Sequence, residues 1–220
     1  MTRELKFGRR AARSGAARSM VVFLHGYGAD GADLLGLADP LAPHLPDTVF
    51  VAPDAPEPCA GNPFGRQWFS IPWLDGSTEA EAVAGLERAA DDLNAFLDAR
   101  LKAEGLAAAQ LAVFGFSQGS MMALHVLPRR AEPVAAIVAF SGRLLRPEQL
   151  AAETVSRPPV LLVHGDADPM VPFADMGLAG DALVSAGFET YAHVMKGTGH
   201  GIAPDGLSVA LAFLKERLPI

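Results

Sequence analysis

Six short apolar runs, closed by turn-forming or polar residues, recur along the chain with helix-patterned segments between them. They are SMVVFLH (19–25), TVFVAP (48–53), QLAVFGF (110–116), VAAIVAFS (134–141), PVLLVHG (159–165) and ETYAHVM (189–195). The central runs are continuous rather than alternating, as strands are when helices cover both faces of a parallel sheet. Between them the period changes to that of a helix. Over 78–104, Val83, Leu86, Ala90, Leu93, Leu97 and Leu101 recur at three- and four-residue steps, while Glu81, Glu87, Arg88, Asp91, Asp98 and Lys102 fill a solvated face. Thr78 with Glu81 is a capping box and Gly105 a stop. A helix over about 173–186 ends at Gly187, and Leu207, Leu211, Leu214 and Leu218 mark a last helix with Asp205 as its N-cap. The stretch 31–45 is helix-like but broken by Pro40 and Pro43. Strands alternating with helices predict an α/β fold, with a mostly parallel central sheet, helices on both faces and right-handed crossovers.

No linker divides the 220 residues, so the whole chain, 1–220, is expected to form one domain. The segment LKFGRRAARSGAARS is expected to form an antiparallel edge hairpin. The Pro- and Gly-rich stretch 53–76 is the longest irregular segment, and long loops of this kind usually serve function or act as lids. No cap domain is evident between 141 and 159.

Charge narrows the partners. A net charge of −7, with arginines clustered only in the first twenty residues, argues against nucleic acid as a partner. No run is long enough to span a bilayer, so stable membrane insertion is not expected. The N-terminus has arginines but no hydrophobic segment before a cleavage site, and a strand follows at once; a cytoplasmic location is the expectation. The one cysteine, Cys59, forms no internal disulfide and reads as a small apolar filler.

The chemistry is concentrated in GFSQG. Here the run 110–116 stops and a helix begins at Ser117, flanked two residues away by Gly115 and Gly119. A nucleophile on such a turn occupies a strained backbone, and side chains at minus two or plus two would strike the adjoining strand and helix. Serine needs a general base and a third group to orient that base. HGDADPMVP follows the run 159–165 and KGTGHGIAP follows 189–195, which supplies an acid and then a histidine in the order Ser, Asp, His. His200, between two glycines in a loop, is the candidate base. His25 and His164 read as structural, and His44, His125 and His193 as residues without partners. A zinc site from His25, His164 and His200 is the alternative, without ligand spacing to support it. Asp166 and Asp168 both fit the acid, and spacing alone leaves the two open. Oxyanion donors are expected at the N–H of Gln118 and, from the glycine-rich loop LHGYGADG, the N–H of Tyr27.

FLHGYGADG, PDAPEP with GRQWF, GFSQG, HGDADPMVP and GTGHGI together resemble the phospholipase/carboxylesterase family of small α/β hydrolases, from about residue 19 to 217. The resemblance implies an α/β-hydrolase fold without a large cap. It makes Ser117 the nucleophile, Asp168 rather than Asp166 the acid and His200 the base, with Tyr27 and Gln118 at the oxyanion. It places Arg66, Gln67, Trp68 and Phe69 beside the acyl pocket, and Trp73, Met170 and Val171 complete the expected substrate-binding set. Relatives often carry an acidic residue where this chain has Ser70, a departure that bears on substrate preference. The implied activity is a serine carboxylesterase acting on small esters or thioesters through an acyl-enzyme, with no cofactor and no metal. An acyl-protein thioesterase or lysophospholipase, a peptidase, and a non-catalytic binding protein are the alternatives. Related enzymes are often dimers, so a homodimer stays open.

Overall fold

The computed structural model describes residues 2–60 and 62–219. Gly61, within the expected irregular stretch 53–76, lies outside the described residues. Among those described, the strands are β1 (Phe7–Arg10), β2 (Ser19–Leu24), β3 (Thr48–Pro53), β4 (Glu57–Cys59), β5 (Asn62–Gln67), β6 (Leu111–Phe116), β7 (Ala136–Phe140), β8 (Val160–Gly165) and β9 (Thr190–Met195). The α-helices are α1 (Gly31–Leu35), α2 (Ala38–Leu41), α3 (Pro72–Asp75), α4 (Glu79–Glu104), α5 (Gln118–Val126), α6 (Pro147–Glu153), α7 (Ala174–Ser185) and α8 (Pro204–Arg217).

Seven strands form one sheet in the order β1-β3-β2-β6-β7-β8-β9, parallel except for β1. This is the mostly parallel α/β sheet that the alternation of apolar runs predicts, and the α/β-hydrolase architecture that the resemblance implies. Successive residues of β2 feed opposite faces. Met20, Val22 and Leu24 join Leu93 and Leu97 of α4 and Met122 of α5 in one core. Val21 and Phe23 join Leu34, Leu41 and Leu214 beneath α1, α2 and α8 in the other. In the second core Phe23 stacks on Phe50 at 5.9 Å, and Phe114 stacks on Phe140 at 4.8 Å. Each such side chain, fully buried, contributes roughly 1.5–3 kcal/mol.

The chain runs from β2 outward to β3, then returns to lay β6 on the other side of β2. At such a reversal of strand order the loops after the two strands part and leave a crevice at their carboxyl ends. That crevice lies between the ends of β2 and β6, so the sheet order itself brings residues 25–28 beside residue 117.

Several expectations need correction. β1 is an antiparallel edge strand, but it pairs with β3 and makes no hairpin with β2. Residues between β1 and β2 are tied to 46–47 instead, through Ser14 N–H to Pro46 and Arg18 N–H to Asp47. The stretch 53–76 is not irregular: β4 and β5 pair antiparallel within it and α3 follows. In 31–45 the helix breaks at residues 36–37, ahead of Pro40, which sits in the first turn of α2. Val83 is off the buried face of α4, 39% exposed, whereas Ala89 and Phe96 are on it. The capping box of Thr78 and Glu81 and the left-handed Gly105 hold as expected. Asp205 is not the N-cap of α8: Ala203 holds that position with Pro204 after it. The Asp205 carboxylate accepts from His193 Nε2 at 2.9 Å, so His193 does have a partner.

The N-terminal segment is anchored too. Arg3 pairs with the buried Asp92 of α4 through its side chain and its backbone N–H, and with Glu57 of β4.

Candidate active site

Ser117 has φ 53° and ψ −116°, an uncommon conformation for a residue with a side chain, at a cost of order 1–3 kcal/mol. Its surroundings over-determine it. Ser117 N–H donates to Phe140 at 2.8 Å, and Ser117 carbonyl accepts from Met121 at 3.2 Å. A Cβ on Gly115 would stand 2.5 Å from Ser120 N, and one on Gly119 would stand 1.9 Å from the Leu24 carbonyl oxygen. Both glycines are therefore demanded by packing, as the pattern implied. A third is Gly142, whose Cβ would lie 2.5 Å from that of Ser120. Ser117 precedes the first turn of α5, where unpaired N–H groups and the helix dipole favour negative charge.

Asp168 and His200 meet. Asp168 Oδ2 accepts from His200 Nδ1 at 2.7 Å, which leaves the lone pair on Nε2. The Asp168 side chain is wholly buried and that of His200 is 20% exposed. Burial works to raise the Asp168 carboxyl, but the Val171 N–H, His200 and the Met170 N–H outweigh it and hold the group below the usual carboxylate range. Those amides donate to Oδ1 at 2.8 Å (Met170) and 3.0 Å (Val171). The two loops touch because Gly165, ending β8, runs against the backbone of Thr198 and leaves no room for a Cβ. Asp166 ties the same two loops together instead, accepting from Gly197 N–H at 2.6 Å and pairing with Lys196.

The His200 ring lies 4.9 Å from that of Phe116, the residue before Ser117. The imidazole hydrogen bond runs to Asp168 and not to Ser117. Bonds between nucleophile and base are often long without substrate and tighten when it binds.

Residues 26–29 face the same point. A Cβ on Gly26 would stand 3.2 Å from Ser117 Cβ, which sets Tyr27 beside the nucleophile. Strand β5 props this loop: Gly28 N–H donates to Arg66, Arg66 N–H to Ala29, and Asn62 Nδ2 to Gly28, at 2.9, 2.8 and 2.9 Å. The Tyr27 hydroxyl is raised above its ordinary pKa by burial and by the Cys59 thiol.

The expected substrate-binding residues divide. Arg66 donates to the carbonyls of Ala55 and Pro56. Gln67 is buried, and Trp68 is fully buried with Nε1 donating to His25 carbonyl at 3.0 Å. Arg66 and Trp68 brace the loop by these bonds, and none of the three side chains lines the adjoining cavity. Phe69 and Trp73 do line it. Met170 and Val171 hold Asp168 by their amides; the Val171 side chain is in the core and Met170 is exposed. The cavity, about 190 Å³, is walled also by Val83, Leu86, Leu145 and Met121, the last one helical turn along α5 from Ser117, with Arg143 and Arg146 among its lining. Sequence reasoning missed these as cavity residues: Val83 reads in phase with the apolar stripe of its helix, and its spacing does not separate a cavity wall from the core. Gln118 joins cavity to elbow: its buried side chain accepts from Trp68 N–H at 2.9 Å and donates to Phe69 carbonyl at 2.7 Å.

Among the described residues no three or more His, Cys, Asp or Glu side chains gather as metal ligands, so His25, His164 and His200 share no site. His164 is buried and its Nε2 donates to the Val171 carbonyl at 3.0 Å.

Comparison with known proteins bears on the family and the fold. The family model described as phospholipase/carboxylesterase matches residues 11–218. The crystal structure of esterase PE8 superposes with a TM-score of 0.93 at 47% identity, covering 98% of this chain and all of the other. Esterase YpfH of Escherichia coli K12 is 31% identical over 205 residues, 92% of this chain and 84% of the relative. Acyl-protein thioesterase 1 of Neurospora crassa is 30% identical over 215 residues, covering 90% and 86%. The chain belongs to the phospholipase/carboxylesterase family of α/β hydrolases.

Proposed function

We propose that this protein is a serine carboxylesterase that cleaves esters of short to medium acyl chains, and acyl thioesters by the same steps. The observation that carries the reading is the bond from His200 Nδ1 to the buried Asp168, next to a serine held at φ 53° on a helix N-terminus. In this reading His200 Nε2 takes the Ser117 proton as Oγ attacks the carbonyl carbon. The carbonyl oxygen becomes an oxyanion, held by the N–H groups of Tyr27 and Gln118. The tetrahedral intermediate collapses, His200 gives its proton to the departing alcohol or thiol, and an acyl-serine remains. Water then attacks with His200 again as base, and the carboxylic acid leaves. Asp168 stays ionised throughout, which its low pKa supports. Activity falls as pH is lowered, because a protonated imidazole accepts no proton. The cavity behind Phe69 and Trp73 takes the acyl chain. The relatives named as esterases and as an acyl-protein thioesterase support both substrate classes. Among the described residues no helix is long and apolar enough to cross a membrane, and we place the enzyme in the cytoplasm.

The test is reaction with a fluorophosphonate probe, followed by hydrolysis of p-nitrophenyl esters across acyl lengths. The expected result is a label on Ser117, none on the Ser117→Ala variant, and loss of turnover by at least about 10³-fold in that variant. A folded wild-type protein that takes no label and turns over no ester is a binding protein, and the proposal fails.

A further inference from the structure

His25 is fully buried and gives or takes no proton in the proposed reaction, yet both ring nitrogens are engaged at the oxyanion loop. Nδ1 lies 2.8 Å from the Gly26 carbonyl oxygen, and Ala55 N–H donates to Nε2 at 2.9 Å. An N–H pointing at Nε2 needs a lone pair there, so the ring proton sits on Nδ1 and is donated to Gly26. Burial pushes the His25 pKa down, which keeps the ring neutral. The His25 carbonyl is held by the Trp68 indole, and Ala55 fastens the ring to the chain just beyond β3.

The grip on Gly26 bears on catalysis because of peptide geometry. The Gly26 carbonyl and the Tyr27 N–H belong to one planar unit and point to opposite sides of it. Whatever fixes the oxygen fixes the hydrogen. Gly26 has no side chain to restrain that plane and only a tight space for one, with Ser117 Cβ and the Phe116 ring 3.2 and 3.3 Å from where a Cβ would stand.

We propose that His25 is the positioning residue of the oxyanion hole: by holding the Gly26 carbonyl, its Nδ1–H sets the direction in which the Tyr27 N–H meets the developing oxyanion. This rests on the reading of Tyr27 N–H as an oxyanion donor. A misdirected donor leaves ground-state binding intact and weakens only the transition state.

Two substitutions separate the two ring nitrogens. His25→Asn sets an amide N–H where Nδ1 stands and keeps the bond to Gly26. His25→Gln sets an oxygen where Nε2 stands and keeps only the bond from Ala55. The expected result is a kcat for His25→Gln lower by about 10- to 100-fold with KM within about twofold, and a matching loss of affinity for a trifluoromethyl ketone, which binds as an oxyanion. His25→Asn keeps kcat within about threefold of wild type, whatever its thermal stability. Equal kcat values in the two variants, or a His25→Gln variant within about twofold of wild type, overturn the proposal. If the variants do not fold, imidazole ¹⁵N spectra of the wild-type protein decide it: a proton on Nδ1 of His25 is expected, and one on Nε2 overturns it. Failure of the underlying reading looks different. A ketone that inhibits without shifting the Tyr27 amide resonance, or an active Ser117→Ala variant, refutes the reading of the site itself, and the part proposed for His25 falls with it.

Discussion

Ser117 and its glycines show how little freedom the elbow has. Gly119 approaches the Leu24 carbonyl so closely that a methyl group would sit 1.9 Å from a backbone oxygen, so the end of β2 or the whole of α5 must move. Gly119→Ala is expected to cost more than about 4 kcal/mol, read as loss of the urea unfolding midpoint or of folded protein altogether. Gly177, inside α7 with nothing near its Cβ position, is the control. There the same change is expected to stabilise by about 0.5–1 kcal/mol, because alanine loses less backbone entropy in a helix. The candidate triad was legible at this scale from Ser117, Asp168 and His200 alone, since each sits in a motif at a strand end. Spacing alone left Asp166 and Asp168 open, because both carboxylates lie in one turn, and the resemblance chose Asp168; the fold aims Asp168 at His200 and Asp166 at Gly197.

The β4–β5 hairpin is the element that sequence patterning hid. Its strands carry Pro58, Pro63 and Gly65, residues that argue against a strand, yet Gly65 is needed there because Gly28 packs against it with no space for a Cβ. Contacts distant in sequence override local propensity, and the same holds for β1, whose partner β3 lies some forty residues on. The cavity wall was obscured for a related reason, because Trp68 looks like a wall residue but its indole is spent on His25. Arg3 reaches the hairpin from outside by bridging Glu57 and the buried Asp92. Arg3→Ala is expected to lower stability by about 1–3 kcal/mol, since a buried carboxylate loses its charged partner while the backbone N–H still reaches it. Limited proteolysis should then cut first within 57–67, and a cleavage pattern unchanged from wild type would show that the strap does not secure the hairpin.

For the molecule as a whole, pH bears on stability through groups whose protonation differs between the folded and unfolded chain. His125, buried in α5, is held down to about 4 by burial and then by Arg129 and Arg146. Its ordinary value is 6.5. Above that value the folded and unfolded chains are both neutral at this site and nothing is gained or lost. As pH falls from about 6.5 towards 4, the unfolded chain takes up a proton that the folded chain refuses. Stability declines over that window by on the order of 2–3 kcal/mol. Urea midpoints measured between pH 7 and 4 should therefore slope downward in the wild type and flatten in His125→Gln; parallel curves would assign the slope to other groups. Asp168 acts lower on the scale. Its depressed carboxyl contributes stability above its unfolded value, and that contribution is lost as pH falls through the folded one.

Gln118 occupies two roles with one residue: its main chain opens α5 directly after the nucleophile, and its amide group fastens the backbone of Trp68 and Phe69. Loop exchange between family members, aimed at new acyl preferences, therefore has a fixed attachment point. A transplanted 68–73 segment that offers Gln118 no matching N–H and carbonyl would leave a buried amide stranded and loosen the turn that presents the serine. Redesign of what the enzyme accepts is in this way tied to preserving what makes it react.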